Sequence, residues 1–234
     1  MKMAFDIKAA NVFPGTVRLN TSAKSIIGVG AFKTAQSAQL TLSPLMLTGI
    51  GSGPNCEIVL KRPYIDDHPA EPGPPFMRYT LKDESNILYR EANVLYWAKA
   101  LLKMTYEFID HAINGTKESP PFKIPRLCFV DAGLLLVYAY VPAGTLESVV
   151  LQSAKPSSTV SMMYLAEELI SISLDKDFVK YIHNGDAAPC ALLDPEAKYI
   201  AQFLTFTQHV QYTNTSGQVY ISDYQGIFTS MFVI

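Results

Sequence analysis

The chain has 234 residues, of which 49% are hydrophobic and 11% aromatic, enough to bury the core of one large domain or two small lobes. Its 19 basic and 21 acidic residues give a formal net charge of -2, without the positive excess that nucleic acids and anionic membrane surfaces require. Early charges argue against a signal peptide, and no apolar run is long enough to span a bilayer. We therefore expect a cytoplasmic protein with no nucleic-acid or membrane partner.

Strand signals dominate the first quarter of the chain. A short apolar run containing Gly28 and Gly30 leads into alternating residues up to position 42, which predicts a strand, a glycine turn and a second strand. Residues 56–64 predict another strand, in which Lys61 and Arg62 point to opposite faces. Closely spaced prolines then predict a surface loop that joins neither helix nor sheet interior.

A helix is predicted after the proline-rich loop. Thr80, followed three residues later by Asp83, has the form of a helix N-terminus, and apolar residues recur at helical spacing as far as Ile109. Glu91 lies within this apolar stripe, where an unpaired carboxylate would be costly. We therefore expect Glu91 to face inward and to pair with a cation.

The second half of the chain alternates between strand and helix signals. A hairpin is predicted from residues 126–130 and 134–141, and helical spacing predicts a helix over 160–172. A further helix is expected from Asp194, as N-cap, to about residue 209. Beyond it, a strand over 218–222 is predicted to deliver an aspartate at its carboxyl end.

These elements predict an α+β fold of two lobes. An N-lobe with a mostly antiparallel sheet is expected over 1–150, and an incomplete mixed C-lobe over 151–234. The boundary is placed in the Ser-, Lys- and Pro-containing stretch that falls within 144–158.

The order of the N-lobe elements favours nucleotide binding. A glycine turn between strands, then a strand with an inward lysine and a helix with an inward glutamate, is the arrangement by which kinases grip phosphates. The amides of Gly28 and Gly30 would donate to phosphate oxygens, and Lys61 would neutralise their charge. Glu91 would hold Lys61 extended, with Glu84 as the competing partner. A surface lysine and a salt-bridged helix remain the alternative.

Several short motifs, taken in their order along the chain, resemble those of one protein family. In chain order they are the glycine turn, Val59-Leu60-Lys61, Phe178-x-Lys180-Tyr181-x-x-Asn184-Gly185, Phe206-x-x-His209 and Asp223-x-Gln225-Gly226. Over residues 25–226 the sequence resembles the alpha-type protein kinases, an atypical serine/threonine class that includes the myosin heavy chain and elongation-factor kinases.

The resemblance implies an enzyme that transfers the γ-phosphate of ATP, with Mg²⁺, to serine or threonine of a protein substrate. Lys61 matches the family's phosphate-binding lysine and Asp223 its catalytic aspartate. Gln225 matches the amide that helps to hold the magnesium. His209 matches a histidine that, in the family, joins two cysteines and another histidine around a structural zinc.

The sequence also departs from the family pattern. It ends eight residues after Gly226, before the zinc partners and the Leu-Thr-Asp-Pro segment whose aspartate helps to bind the active-site metal, so we expect an incomplete zinc site and impaired transfer. Tyr138 stands where a hinge glutamate is expected, and an Ile-His pair replaces part of an asparagine run. A pseudokinase that binds nucleotide or protein is therefore the alternative from another class.

A second enzymatic alternative is a small-molecule phosphotransferase of the aminoglycoside-kinase kind. Residues 135–142 resemble the hinge of those enzymes, and the stretch from His183 to Asp186 resembles their catalytic loop. The spacing argues against this alternative, because an inserted asparagine separates the histidine from the Gly-Asp pair and no asparagine follows at the metal-ligand position.

Overall fold

The computed structural model describes residues 11–19, 22, 25–65, 76–116, 118, 120–138, 160–170, 178–227 and 230–233. Within them the elements in chain order are β1 (Gly15–Leu19), β2 (Ile26–Val29), β3 (Lys33–Leu42), β4 (Cys56–Pro63), α1 (Leu81–Asn114), β5 (Ala132–Tyr138), β6 (Val160–Glu168), β7 (Val179–Lys180), α2 (Pro195–Asn214), β8 (Tyr224–Ile227) and β9 (Ser230–Val233). The predicted α+β class with an antiparallel first sheet is confirmed.

The chain divides into two compact units. The first consists of Met1–Ala92 and Asp131–Leu169, and the second of Asn93–Val130 and Ile170–Ile234. This division differs from the predicted boundary at residue 150, because β6 pairs with β4 and β5 and so belongs to the first unit. The stretch 144–158 and most of the proline-rich loop lie outside the described residues.

The first unit is built on a six-stranded antiparallel sheet of order β1-β3-β4-β6-β5, with β2 paired to the other half of β3. The strands predicted over the glycine turn and over 56–64 are thus confirmed. One face of the sheet carries an apolar core whose fully buried members are Ala38, Leu40, Ile58, Leu60, Tyr164 and Ala166. The opposite face carries Lys61, because successive residues of a strand alternate between faces.

The helix predicted over 160–172 is wrong, since its described residues form β6. Met163 through Glu167 are buried without interruption, as befits a strand whose neighbours β4 and β5 lie on either side and whose two faces are both covered. A short continuous apolar run fits a buried strand as well as a helix. The hairpin predicted from residues 126–130 and 134–141 is also wrong, because β5 pairs with β6 and not with the residues that precede it.

Helix α1 begins where the capping signal places it. The Thr80 hydroxyl accepts a hydrogen bond from the Asp83 amide at 3.3 Å and donates to the Asp83 carboxylate at 2.7 Å. The helix continues to Asn114, five residues beyond the end of its apolar stripe, and Glu84 and Leu88 are fully buried on its first turns. The predicted helix is confirmed.

The second unit combines α2 with a three-stranded antiparallel sheet of order β7-β8-β9. Asp194 caps α2 by accepting from the Ala197 amide at 2.6 Å, and Pro195 occupies the first turn, as predicted. The fully buried members of the core are Tyr181, Ile182, Ile200, Ala201, Leu204 and Tyr224. Neither described helix has a stretch both long and apolar enough to cross a membrane.

The strand predicted over 218–222 is wrong. These residues belong to no strand, and β8 begins at Tyr224, so Asp223 precedes a strand instead of ending one. The segment is a short apolar run bounded by polar residues, as a strand can be, but side chains of helix α2 bond the backbone of Ile221 in place of a neighbouring strand. Those bonds shape the site around Asp223.

Candidate functional site

A row of small residues leads across the first sheet to Lys61. Gly28 lies opposite Ala35, and Ala35 lies opposite Lys61, so all three positions share one face of the sheet. Among the described residues, a Cβ atom at Gly28 would have the Cβ of Ala35 as its nearest contact, at 3.8 Å. Since neighbouring strands are about 4.8 Å apart, the row from Lys61 across β3 to β2 carries no side chain larger than that of alanine for about 10 Å. A flat or anionic ligand could lie directly on this part of the sheet.

The glycine turn between β2 and β3 is tied down by its own backbone and by Tyr64. The Gly30 amide donates to the Lys33 carbonyl at 2.8 Å, and the Tyr64 hydroxyl donates to the Gly30 carbonyl at 2.7 Å. Neither Gly28 nor Gly30 has a positive φ, so the backbone itself does not require glycine there. The Gly30 amide is thus already bonded within the hairpin, and Gly30 is exposed, whereas Gly28 is half-buried in the β2–β3 pairing.

Lys61 is paired within its own sheet. Its ammonium lies 2.6 Å from the carboxylate of Glu167, whose side chain is 6% exposed, against 23% for that of Lys61. Glu167 lies opposite Val59 in the β4–β6 register and is therefore the diagonal neighbour of Lys61 on the same face. The prediction that Glu91 pairs with Lys61 is wrong, because this neighbouring strand supplies a nearer carboxylate.

The two glutamates of helix α1 that were considered as partners of Lys61 bind other cations. Glu91 pairs with Lys33 at 2.9 Å. Glu84, which is fully buried, makes a two-pronged contact with the guanidinium of Arg62 at 2.5 and 3.1 Å. Burial opposes the charge on Arg62, but hydrogen bonding and the charge of Glu84 raise its pKa overall. Because Arg62 points to the opposite face from Lys61, α1 meets the arginine and the predicted competition for the lysine does not arise.

Asp223 stands at the centre of a second cluster, in the second unit. It has the left-handed φ of 63°, uncommon for a residue with a Cβ atom. The ammonium of Lys180 forms an ion pair with its carboxylate and lies 3.3 Å from the amide oxygen of Gln225. Lys180 lies opposite Gln225 in the β7–β8 register, which fixes this geometry.

The oxygens of Asp223 and Gln225 thus converge on one cation. A carboxylate and an amide oxygen are donors that Mg²⁺ accepts, and Mg²⁺ takes its remaining ligands from phosphates and water. The pair fits the metal implied by the sequence, although Lys180 now holds both oxygens.

Side chains of α2 hold the segment that leads to Asp223. Gln208 donates to the Ile221 carbonyl at 2.8 Å, and the Ile221 amide donates to the side-chain oxygen of Gln211 at 2.8 Å. On the other side of Asp223, the hydroxyl of Tyr224 lies 3.3 Å from that of Thr207. Burial raises the pKa of Tyr224 to about 12, despite hydrogen bonds that lower it.

Other predicted positions fall outside these clusters. His209 is exposed on α2, and the described residues contain no group of three His, Cys, Asp or Glu side chains that could hold a metal. The described side chains therefore do not fit a zinc ion. Asp186 accepts from the Ala188 amide at 2.9 Å, the contact of an ordinary turn aspartate, and Tyr138 is exposed at the end of β5.

Several residues of both clusters were missed from the sequence. Glu167 was hidden by the helix prediction, although an acid within a strand-length apolar run is itself a signal of an inward partner. Lys180 was part of a quoted motif but received no role. Gln208 and Gln211 give no signal in sequence, because glutamine is ordinary on a helix and only burial distinguishes these two.

No family model matches the chain, and no curated protein matches its sequence. Among solved structures, the apoenzyme alpha-kinase domain of myosin-II heavy chain kinase A is similar, with a TM-score of 0.46 and 14% identity over 92% of this chain and 72% of that chain. An aspartate-to-alanine mutant of the myosin heavy chain kinase A catalytic domain has a TM-score of 0.48 and 13% identity, over 94% of this chain and 74% of that chain.

Proposed function

We propose that this protein binds ATP and transfers its γ-phosphate to a serine or threonine hydroxyl of a protein substrate. The observation that carries the proposal is the row from Gly28 to Lys61. It combines the small residues Gly28 and Ala35 with a lysine whose ammonium is held by a buried carboxylate. A polyphosphate needs both features, room to approach the backbone and a fixed positive charge.

In this proposal the first unit binds the nucleotide. The ammonium of Lys61 contacts phosphate oxygens, and Glu167 keeps its side chain extended toward them. Gly28 lets the phosphates approach the strand, because glycine has no side chain to hold them away from the backbone. The Lys33–Glu91 and Tyr64–Gly30 contacts restrain the hairpin that carries the glycines.

The second unit supplies the group that acts on the hydroxyl. The carboxylate of Asp223 orients the attacking hydroxyl and accepts its proton as the new phosphorus–oxygen bond forms and the bond to ADP breaks. Asp223 and Gln225 would hold Mg²⁺, which when bound neutralises charge that develops on the phosphate oxygens. Lys180 keeps the two oxygens turned toward each other.

Titration of ATP in the presence of magnesium tests the first half of the proposal. Lys61→Met should weaken binding by at least about tenfold, or about 1.4 kcal/mol, because it removes the positive charge at the phosphates. Lys103→Met is the matched control, since Lys103 is an exposed lysine of α1 whose side chain is 79% exposed. Equal affinity of the Lys61→Met variant and the control would show that Lys61 does not bind the nucleotide.

Transfer of radiolabelled phosphate to a basic protein substrate tests the second half. Asp223→Asn keeps the size and the tolerance of a left-handed backbone but removes the proton acceptor, so the rate should fall by at least about a hundredfold. A rate unchanged by Asp223→Asn would rule out the aspartate as the catalytic base.

A pseudokinase that binds nucleotide without transfer is the second candidate, and one contact favours it. The ammonium of Lys180 already satisfies both oxygens that would bind magnesium. ATP binding that depends on Lys61 but not on magnesium, together with equal background transfer by the natural chain and Asp223→Asn, would support this candidate.

A further inference from the structure

Helix α2 replaces a β-strand as the partner of the segment before Asp223. Ile221 is buried, and the amide and carbonyl of a buried residue need hydrogen-bond partners. Ile221 lies in no strand, yet both groups are bonded, the carbonyl by Gln208 and the amide by Gln211. Two side chains three residues apart on one helix face thus reproduce the pair of bonds that an adjacent strand would make.

The fold keeps these glutamines at some cost. Gln208 and Gln211 are 5% and 0% exposed, in a core where apolar side chains would otherwise be expected. The oxygen of the Gln208 amide is buried and has no hydrogen-bond partner among the described residues. An unbonded buried oxygen is unfavourable, and the hydrogen bond from the Gln208 amide nitrogen to Ile221 is the interaction of this side chain that offsets the cost.

The contacts enclose a strained residue. The left-handed conformation of Asp223 is unfavourable for a side chain with a Cβ atom and persists where surrounding contacts determine it. Ile221 is fixed by the glutamines, and the Ser222 hydroxyl donates to the His183 carbonyl at 2.8 Å. Beyond Asp223, the Tyr224 carbonyl accepts from the Tyr181 amide at 2.9 Å. The chain is therefore fixed immediately before and after Asp223.

We infer that Gln208 and Gln211 are positioning residues, which keep Asp223 in its left-handed conformation by bonding the Ile221 backbone in place of a strand. The catalytic consequence rests on the proposed function, in which Asp223 accepts the proton of the substrate hydroxyl. The conformational consequence does not, and it is measured separately.

Gln211→Met is the informative variant, because it keeps the length of the side chain and removes the acceptor of the Ile221 amide. The amide should then exchange with solvent at least about tenfold faster, and the backbone carbon chemical shifts of Asp223, which report φ, should move. Phosphate transfer should fall by at least about tenfold in kcat, while the KM for ATP stays within about twofold.

Two further variants complete the comparison. Gln202→Met makes the same change at an exposed position of α2 and should leave every measurement unchanged. Gln211→Glu keeps an oxygen that can accept from the Ile221 amide and should restore its protection, the Asp223 shifts and most of kcat. Where Gln211→Met does not fold, Gln208→Met, which removes a single hydrogen bond, gives the same measurements.

Unchanged Ile221 exchange and Asp223 shifts in a folded Gln211→Met or Gln208→Met variant would overturn the inference, whatever the activity. Altered shifts with an unaltered kcat would overturn the catalytic consequence, since Asp223 would then work equally well in another conformation. If even the natural chain transfers no phosphate, the proposed function fails, and the exchange and chemical-shift measurements alone decide whether the glutamines position Asp223.

Discussion

The first unit fixes three of its basic side chains with glutamates, whereas the second fixes the segment around Asp223 mainly with neutral amides and hydroxyls. In the first unit Lys33, Lys61 and Arg62 each have a glutamate partner. In the second, two glutamines hold the backbone that precedes Asp223. Removing a buried charge leaves its partner charge uncompensated, but removing an amide leaves only a dipole unbonded. The first unit should therefore respond to mutation chiefly in stability, and the second chiefly in geometry.

The largest effect expected from this difference is at Glu84. Glu84→Ala leaves the guanidinium of Arg62 without its two-pronged partner in a largely buried position, and should lower the free energy of unfolding by about 3 kcal/mol. Denaturant unfolding measures the loss. Glu107→Ala is the control on the same helix, because the Lys103–Glu107 pair is exposed and should contribute little. If the Glu84 variant is as stable as the control, the first unit does not depend on its buried ion pairs for stability, and the contrast with the second unit fails.

The next effect concerns Tyr224, whose hydroxyl is part of the neutral network. Because burial raises its pKa to about 12 from an ordinary 10.0, the unfolded chain releases the tyrosine proton before the folded chain does. The stabilisation is complete below the ordinary pKa of 10.0, is lost as pH rises toward 12, and should amount to about 3 kcal/mol.

The measurement compares the natural chain with Tyr224→Phe by denaturant unfolding over about three pH units, from about pH 9 to about pH 12, which covers the range in which tyrosine titrates. Other tyrosines are present in both chains and cancel in the difference. The advantage of the natural chain should shrink with rising pH. A constant difference would mean that the hydroxyl of Tyr224 is not shielded as the structure indicates.

The smallest expected effect concerns the backbone conformation of Asp223 in the second unit. Asp223→Gly and Asp223→Ala both remove the carboxylate, but only glycine adopts a φ of 63° without steric cost. The glycine variant should therefore be more stable than the alanine variant by about 1 kcal/mol in thermal or denaturant unfolding. Greater stability of the alanine variant would show that the left-handed conformation is not imposed by the neighbouring contacts.

The sequence predicts those features of the structure that a few adjacent residues determine, and it fails where distant parts of the chain decide the conformation. The cap at Asp194, the start of α1 and the face of Lys61 are each set by a few adjacent residues, and all were predicted. The helix expected over 160–172 was wrong because a buried central strand lacks alternation, and the order of its neighbours along the sheet decides its conformation.

The partners of the charged residues were harder to predict than their faces. Glu91 was expected to find a cation and does, but the cation is Lys33 and not Lys61. Which charges meet depends on strand order and register, because Glu167 reaches Lys61 only through the pairing of β4 with β6. Sequence spacing fixes the direction of a side chain but not what lies opposite it.

Lys61 and Arg62 are adjacent in β4 but are bound on opposite faces of the sheet, each by its own glutamate. A one-residue deletion within this strand would turn the lysine toward Glu84 and the arginine toward Glu167, and would move every apolar side chain beyond it to the wrong face. Lysine cannot reproduce the two-pronged contact with Glu84. The length of β4 is therefore more tightly constrained than its composition, and insertions or deletions should be tolerated in the loops on either side of it but not within it.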